Sequence, residues 1–282
     1  MTTVSKIIEK TFSLLKETEV EEPGLTAKLL ICHVLGIERL ELLVNPLRIV
    51  TEEETQKILE LVSERSKGKP LSRIKGHREF WGLEFKLNEA TLDPRPDTEI
   101  LIETVLKKIE NKNNEKKILD LGTGSGCILL TLLHELPNSK GLGIDKSERA
   151  ISQAQENAKL LSLENRAEFI IGNWFDNIDT TFDIIVSNPP YIKSEEITTL
   201  QKEVKEYDPI LALDGGKDGL SMYREIIPNI KSHLSQNGIA VLEIGYNQAE
   251  DIKEILKEHS IDTFRIIKDL NNLDRCILIY GM

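Results

Sequence analysis

The stretch Leu119-Asp120-Leu121-Gly122-Thr123-Gly124-Ser125-Gly126-Cys127, LDLGTGSGC, decides how this chain reads. A short apolar run ends in three glycines spaced two apart and gives way to CILLTLLHEL (127–136), an apolar segment of helical length. Glycines at such a junction let the chain turn sharply and let a ligand approach the backbone closely. Outward from this junction the pattern repeats. KKILDLG (116–122), KGLGID (140–145), AEFIIG (167–172), FDIIVSN (182–188), IAVLEIG (239–245), FRIIKD (264–269) and RCILIY (275–280) are strand-like. Between them lie helical segments, among them ERAISQAQENAKLL (148–161), GLSMYREIIPNIKSHL (219–234) and NQAEDIKEILKEH (247–259). Alternating β and α predicts an α/β fold, a mostly parallel sheet covered by helices on both faces. Ligands in such folds sit at the carboxyl ends of the strands, near the point where strand order reverses.

The region before this pattern differs. Val4, Ile7, Ile8, Phe12, Leu14 and Leu15 fall near a 3.6-residue period, as do Ile58, Leu59, Leu61 and Val62, which predicts a small helical bundle. Thr51 followed by Glu54 is a capping-box pattern. Asn45-Pro46 and Glu22-Pro23-Gly24 supply breaks. Arg65, Lys67, Lys69, Arg73, Lys75 and Arg78 then cluster around Gly68 and Pro70, either as solvated charges or as a contact to an anionic partner. FWGLEFKLNEATLDPRPDTE (80–99) alternates apolar and polar residues before two prolines, which reads as a β-hairpin leading into the second domain. The expected organisation is a helical domain at residues 1–72, a hairpin linker at 73–95 and an α/β domain at 96–282.

At 282 residues, 40% hydrophobic and 29% charged, the composition is that of a globular protein. A net charge of -11 argues against a surface that grips phosphate backbones, so no direct nucleic-acid binding is expected. Cys32, Cys127 and Cys276 form no CxxC pair, and the five histidines have no metal-ligand spacing, so neither disulfides nor a metal site is expected. No apolar run approaches the roughly 20 residues that span a bilayer, and no export signal is evident. A cytoplasmic monomer is the expectation.

Three strand ends beyond the glycines carry groups suited to a site. The glycine pattern lacks the Lys-Ser/Thr of a P-loop. Asp145, about 20 residues on, is placed to accept hydrogen bonds from both ribose hydroxyls of a nucleoside, or else to cap the helix that follows. Either NAD or S-adenosylmethionine satisfies that arrangement. Trp174, in GNW at the next strand end, flanks an adenine ring or packs in the core. Ser187-Asn188-Pro189-Pro190-Tyr191 follows at the strand end after that. A Pro-Pro step offers no amide donor, stops the ladder and leaves carbonyls free to accept from something else.

Residues 118–191 resemble a Rossmann-like class I S-adenosylmethionine-dependent methyltransferase, and Asn-Pro-Pro-Tyr resembles the tetrad of those that modify planar nitrogens. Across almost the full chain, GHREFWGLEF (76–85), DPRPDTE (93–99), LDLGTGSG (119–126), SNPPYI (187–192), LALDGGKDGLSMYREI (211–226), EIGYNQ (243–248) and KDLNNLDR (268–275) resemble the bacterial release-factor glutamine methyltransferases. Two positions depart from the commonest form: Asp93 stands where an apolar residue is frequent, and Asp208 where Glu is frequent.

The resemblance implies methyl transfer from S-adenosylmethionine, with S-adenosylhomocysteine as product and no metal. The acceptor would be the N5 side-chain nitrogen of the glutamine in the Gly-Gly-Gln motif of class 1 peptide chain release factors. It implies a seven-stranded sheet, cofactor contacts from Gly122, Thr123, Gly124, Ser125, Gly126, Asp145, Trp174 and Asn188, and substrate recognition by the helical domain. In the mechanism expected of the tetrad, the side-chain oxygen of Asn188 and the carbonyl of Pro189 accept the two N–H groups of the substrate amide. Pro190 shapes the turn and Tyr191 stacks on the amide. Three other readings compete: adenine-N6 methylation of DNA or RNA, glutamine methylation of a ribosomal protein, and a non-catalytic translation factor that binds S-adenosylmethionine.

Overall fold

The computed structural model describes residues 1–18 and 20–281. The chain forms two units, one of Met1–Gly76 with Gln201–Tyr207, the other of His77–Leu200 with Asp208–Met282. In the first, α1 (Val4–Lys16), α2 (Pro23–Leu35), α3 (Arg39–Val44), α4 (Glu52–Ser66) and α5 (Leu71–Lys75) follow one another, and β1 (Thr2–Thr3) pairs antiparallel with β2 (Ile49–Val50). Helix α1 buries Val4, Ile7, Thr11 and Leu15, a three-and-four spacing that places one stripe on the core. Phe12 and Leu14, expected in that stripe, are exposed, and Thr11 takes the inward position. Helix α4 begins with the capping box read from the sequence: Thr51 Oγ1 accepts the Glu54 amide at 3.1 Å and Glu54 Oε2 accepts the Thr51 amide at 2.7 Å.

The basic cluster is not uniformly solvated. Arg65 is buried, and its guanidinium pairs with Glu203 at 2.6 Å and donates to the Lys69 carbonyl at 3.2 Å. Glu203 lies on α9 (Lys202–Tyr207), 138 residues further along the chain yet within this unit. The anion facing Arg65 is therefore the chain's own carboxylate, a pairing that spares a buried guanidinium the cost of desolvation without a partner.

The second unit opens with a hairpin, β3 (His77–Phe80) and β4 (Leu83–Lys86), turning at Trp81 and Gly82, both at positive φ. Then come α6 (Glu99–Leu106), β5 (Lys117–Leu121), α7 (Cys127–Glu135), β6 (Lys140–Asp145), α8 (Glu148–Leu160), β7 (Ala167–Ile171), β8 (Phe182–Ser187), α10 (Ser221–His233), β9 (Leu234–Glu243), α11 (Ala249–Glu258), β10 (Phe264–Lys268) and β11 (Asp274–Tyr280). The last seven strands, β5 to β11, form one sheet in the order β10-β11-β9-β8-β5-β6-β7. All neighbours from β9 to β7 are parallel, and β11 runs antiparallel to both of its neighbours. This is the predicted α/β architecture, with its sheet mostly parallel and seven-stranded.

Period-two alternation divides the core between the two faces. Ile118, Ile184, Val186 and Val241 point to one face, covered by α6, α7, α8 and the hairpin residues Phe80 and Phe85. Leu119, Leu121, Ile185, Ala240 and Leu242 point to the other, beneath Tyr223 and Ile226 of α10 and Ile252 of α11. Each such fully buried aliphatic or aromatic side chain contributes roughly 1.5–3 kcal/mol. Strand order reverses between β5 and β8, because the chain proceeds from β5 to β6 and β7 and then returns to the opposite side of β5. The glycine loop leaves β5 and Ser187-Asn188 leaves β8 at this crevice, where an open parallel sheet binds ligands.

Candidate active site

The glycine loop is held by its own backbone. The amides of Gly122 and Thr123 both donate to the Ile144 carbonyl, at 2.8 and 2.9 Å, and Gly126 donates to the Thr123 carbonyl at 2.8 Å. Asp145 ties the loop to the end of β6: Oδ2 accepts the Gly124 amide and Oδ1 the Ser147 amide, each at 2.9 Å. Burial raises the Asp145 pKa, and these two amides oppose the shift. The cap of α8 is Ser147, whose side chain accepts from Ala150, so the capping role considered for Asp145 belongs to its neighbour. Each carboxylate oxygen can accept more than one hydrogen bond, which leaves Asp145 able to receive the hydroxyls of a ribose.

An open cavity lies over this crevice, with about 950 Å³ of empty space when the solvent at its mouth is counted. Gly122, Thr123, Gly124, Ser125, Asp145, Trp174, Asn188 and Pro190 line it. Trp174 closes one side: an added Cβ on Gly122 would stand 3.5 Å from its ring, and its indole N–H donates to Glu225 at 2.9 Å. Leu92, Ile128, Ile144 and Met222 supply apolar wall. A flat aromatic face, an aspartate free to take hydroxyls and a glycine-rich backbone fit the adenosine portion of S-adenosylmethionine.

Three residues predicted for the site do not line the cavity. Gly126 caps α7 at φ 80°, where a Cβ would meet Leu130 and Ala154 at 3.1 and 3.2 Å, so its job is helix packing. Pro189 is buried. Tyr191 is half-buried, packs on the core beneath α10 and α11 and directs its hydroxyl to Glu243 Oε1 at 3.4 Å.

Segments far away in sequence brace the Asn-Pro-Pro-Tyr turn. Ile192 exchanges backbone hydrogen bonds with Leu213 and Gly215, and Gln248 Nε2 donates to the carbonyls of Tyr191 and Gly219 at 3.0 and 3.1 Å. A Cβ on Gly219 would lie 2.5 Å from the Tyr191 carbonyl oxygen, so only glycine permits this approach. LALDGGKDG and EIGYNQ are thereby explained as scaffolding for the turn. The two unusual aspartates also meet: Asp208, buried, accepts the Asp93 amide at 3.3 Å and pairs with Arg95, which borders the cavity.

Sequence reasoning assigned no role to Thr98 or Glu243, although both lie inside quoted motifs. Thr98 is buried, lines the cavity and accepts a hydrogen bond from Asn188 Nδ2 at 3.1 Å. Glu243 is 1% exposed at the end of β9. The available signal was a glutamate in the apolar run IAVLEIG, a residue type that is almost never fully buried unless partnered. Burial pushes Glu243 up to about 7, opposed by the neighbouring Thr98 hydroxyl, the Arg275 charge and the Tyr191 hydroxyl. Burial likewise pushes Asp120 up to about 7, against the hydroxyl of Thr123 at 2.6 Å.

These shifts have a consequence for stability. A carboxyl whose folded pKa is raised contributes stability below its unfolded value, and that contribution is lost as pH rises through the folded value. For Glu243 the window runs from 4.5 to about 7. In urea unfolding, Glu243→Gln is therefore expected to gain on the wild type by about 3 kcal/mol between pH 4.5 and pH 8.5. A difference that does not change with pH would mean that Glu243 titrates normally.

The PrmC N-terminal domain family model matches residues 6–76, and the Methyltransferase small domain model matches residues 90–216. The release factor glutamine methyltransferase of Rhodospirillum rubrum is 43% identical over 275 residues, covering 98% of this chain and 84% of that protein. That of Agrobacterium fabrum is 41% identical over 266 residues, covering 93% of this chain and 92% of its own. Among solved structures, the hMettl16 catalytic domain in complex with MAT2A 3'UTR hairpin 6 superposes with a TM-score of 0.57 at 16% identity, covering 81% of this chain and 82% of that one, a likeness of fold. With both family models matched in order and the relatives aligned nearly end to end, the chain belongs to the release factor glutamine methyltransferases.

Proposed function

We propose that this protein transfers a methyl group from S-adenosylmethionine to the N5 nitrogen of the glutamine in the Gly-Gly-Gln motif of class 1 peptide chain release factors. The observation that carries this reading is the position of Asn188. Its carboxamide borders the cavity beside the glycine loop, with Nδ2 held by Thr98 and no donor from the described residues at Oδ1. Kinship with the release factor glutamine methyltransferases supports the choice of substrate.

An amide nitrogen is a poor nucleophile because its lone pair is delocalised into the carbonyl. The chain's task is to align that lone pair and to draw charge onto the nitrogen. Asn188 Oδ1 accepts one amide N–H and the Pro189 carbonyl accepts the other. Among the described residues no hydrogen bond reaches that carbonyl. Two acceptors fix the nitrogen in one orientation, which is positioning and electrostatic catalysis. Tyr191, anchored at Glu243, holds the end of the turn against the sheet. Asp145, Trp174 and the loop from Gly122 to Ser125 would hold the cofactor, which would supply an electrophilic methyl group as its sulfonium S–CH3 bond breaks and S-adenosylhomocysteine is left. As the new N–C bond forms, the amide becomes strongly acidic and sheds its proton to water, so no general base is needed.

Among the described residues no helix is long and apolar enough to cross a membrane. The protein is read as a cytoplasmic monomer acting on a protein substrate. Its test is methyl transfer from labelled S-adenosylmethionine to a purified class 1 release factor, to the same factor with the Gly-Gly-Gln glutamine changed to alanine, to a ribosomal-protein fraction, and to RNA and DNA. Label on the intact factor alone is the expected result. Label on nucleic acid or on the altered factor would overturn the assignment.

A further inference from the structure

We propose that Glu225 is a positioning residue for the cofactor: from outside the cavity it holds the Trp174 indole at the angle that receives the adenine ring. The inference deepens the proposed function and rests on its reading of Trp174 as a cofactor contact.

Trp174 belongs to the loop that follows β7, and its backbone stands at φ 49°. So bulky a residue rarely adopts the left-handed region, and it stays there only where its surroundings hold it. Part of the hold is local: Asp176 Oδ2 accepts the Asn173 amide at 3.3 Å, and the Asp176 amide donates to the Asn173 carbonyl at 3.0 Å. The rest comes from α10. His233, in the last turn of that helix, hydrogen-bonds the Ile178 carbonyl at 3.1 Å and packs its ring on Phe175, with centroids 4.5 Å apart. Roughly two turns earlier, Glu225 Oε2 accepts the Trp174 indole N–H at 2.9 Å and lies 3.5 Å from Asn173 Nδ2.

The backbone sets where the Trp174 side chain leaves the chain, but not the plane of its ring. Contacts at opposite ends of the indole set that plane. The benzo edge, Cζ3 and Cη2, lies over Gly122, 3.5 and 3.9 Å from where a Cβ would stand. The pyrrole end is tied by its N–H, which is the only polar group an indole has. An aromatic wall stacks on a flat base in one orientation, and a ring already held in that orientation loses less freedom when the ligand binds. Glu225 does not line the cavity, whereas Met222, three residues before it on α10, does. The same helix thus supplies one part of the cavity wall and sets the angle of another. Glu225 is exposed, so truncating it opens no hole in the core.

The test is calorimetric binding of S-adenosylhomocysteine, beside single-turnover transfer at saturating cofactor, for the wild type, Glu225→Ala, Glu225→Gln, Trp174→Phe and the Glu225→Ala/Trp174→Phe double variant. Glu225→Ala is expected to weaken S-adenosylhomocysteine about fivefold, the worth of one modest hydrogen bond, and to leave the saturated transfer rate within about twofold. Glu225→Gln keeps a carbonyl oxygen for the indole N–H and should bind within about twofold of the wild type. Trp174→Phe leaves the carboxylate no N–H to hold, so adding Glu225→Ala to it should cost nothing further. An independent readout is the anisotropy of Trp174 emission in a Trp81→Phe background, which removes the chain's other tryptophan. It should fall in ligand-free Glu225→Ala and stay high in Glu225→Gln. Wild-type affinity in Glu225→Ala, a glutamine variant as weak as the alanine one, or an undiminished loss in the Trp174→Phe background would each overturn the proposal. Should Trp81→Phe fail to fold, the affinities decide alone. If the wild type binds S-adenosylhomocysteine and methylates the factor while Glu225→Ala matches it in affinity, the positioning role fails and the proposed function stands. If the wild type binds no S-adenosylhomocysteine, the function itself fails and Glu225 has nothing to position.

Discussion

Replacing Asn188 with alanine is expected to reduce methyl transfer about a thousandfold while the protein folds and binds cofactor. The carboxamide is one of two acceptors proposed to hold the substrate nitrogen in line, and groups placed where charge develops are worth roughly 100- to 1000-fold each. The upper end applies because the loss is compounded. Without the side-chain oxygen the amide can rotate, and the remaining acceptor at Pro189 does not define an orientation. Structural damage should be small, since Asn188 is half-buried and, among the described residues, its one side-chain hydrogen bond is to Thr98. The measurement is single-turnover transfer beside calorimetric binding of S-adenosylhomocysteine. Turnover within a few-fold of the wild type would remove Asn188 from the chemistry and reduce the Pro-Pro step to an ordinary strand stop.

The second large effect is expected at Asp145 and should fall on binding, not on chemistry. Asp145→Ala removes the acceptor proposed for the two ribose hydroxyls and also releases the amides of Gly124 and Ser147. Hydrogen bonds to a charged group contribute about 1.5–3 kcal/mol, so cofactor affinity should fall about 100-fold. The transfer rate at saturating cofactor should stay within about threefold of the wild type, because a loss of uniform binding raises KM without lowering kcat. Asp145→Asn, which keeps one acceptor, should lie between the two. If Asp145→Ala bound S-adenosylhomocysteine as tightly as the wild type, the residue would be a loop anchor only, a role that the Gly124 contact already documents.

The two variants act on opposite sides of the crevice between β5 and β8, and one is expected to lower the rate and the other the affinity. That all of these residues end strands was legible before any coordinates. The glycine loop and Asp145 end consecutive strands, and Asn188 ends the strand on the far side of β5. The topology that makes them neighbours follows from right-handed βαβ connections.

What the sequence by itself determined is local in origin. Short apolar runs between helical segments marked each of the seven strands, because a strand covered on both faces is apolar along most of its length. The break at Pro189-Pro190, the capping box at Thr51 and Glu54, and the turn at Gly122 to Gly126 depend on residues within a few positions of one another. Their backbone chemistry is therefore readable from the letters. Kinship extended that reading to the reaction.

Only the tertiary structure decided which distant side chains share a buried hydrogen bond. Glu243 reads as one more charged residue, and its meeting with Tyr191 joins two strand ends 52 residues apart. Arg65 reads as solvated until α9 returns Glu203 to it. That the Tyr191 hydroxyl lies at Glu243, and that Gly126 packs closely against Ala154 of α8, could not be read from the letters. Periodicity states which way a side chain points relative to its own strand or helix. The partner it finds there is set by how the elements pack, and for a buried polar group that partner determines its charge, its orientation and its use.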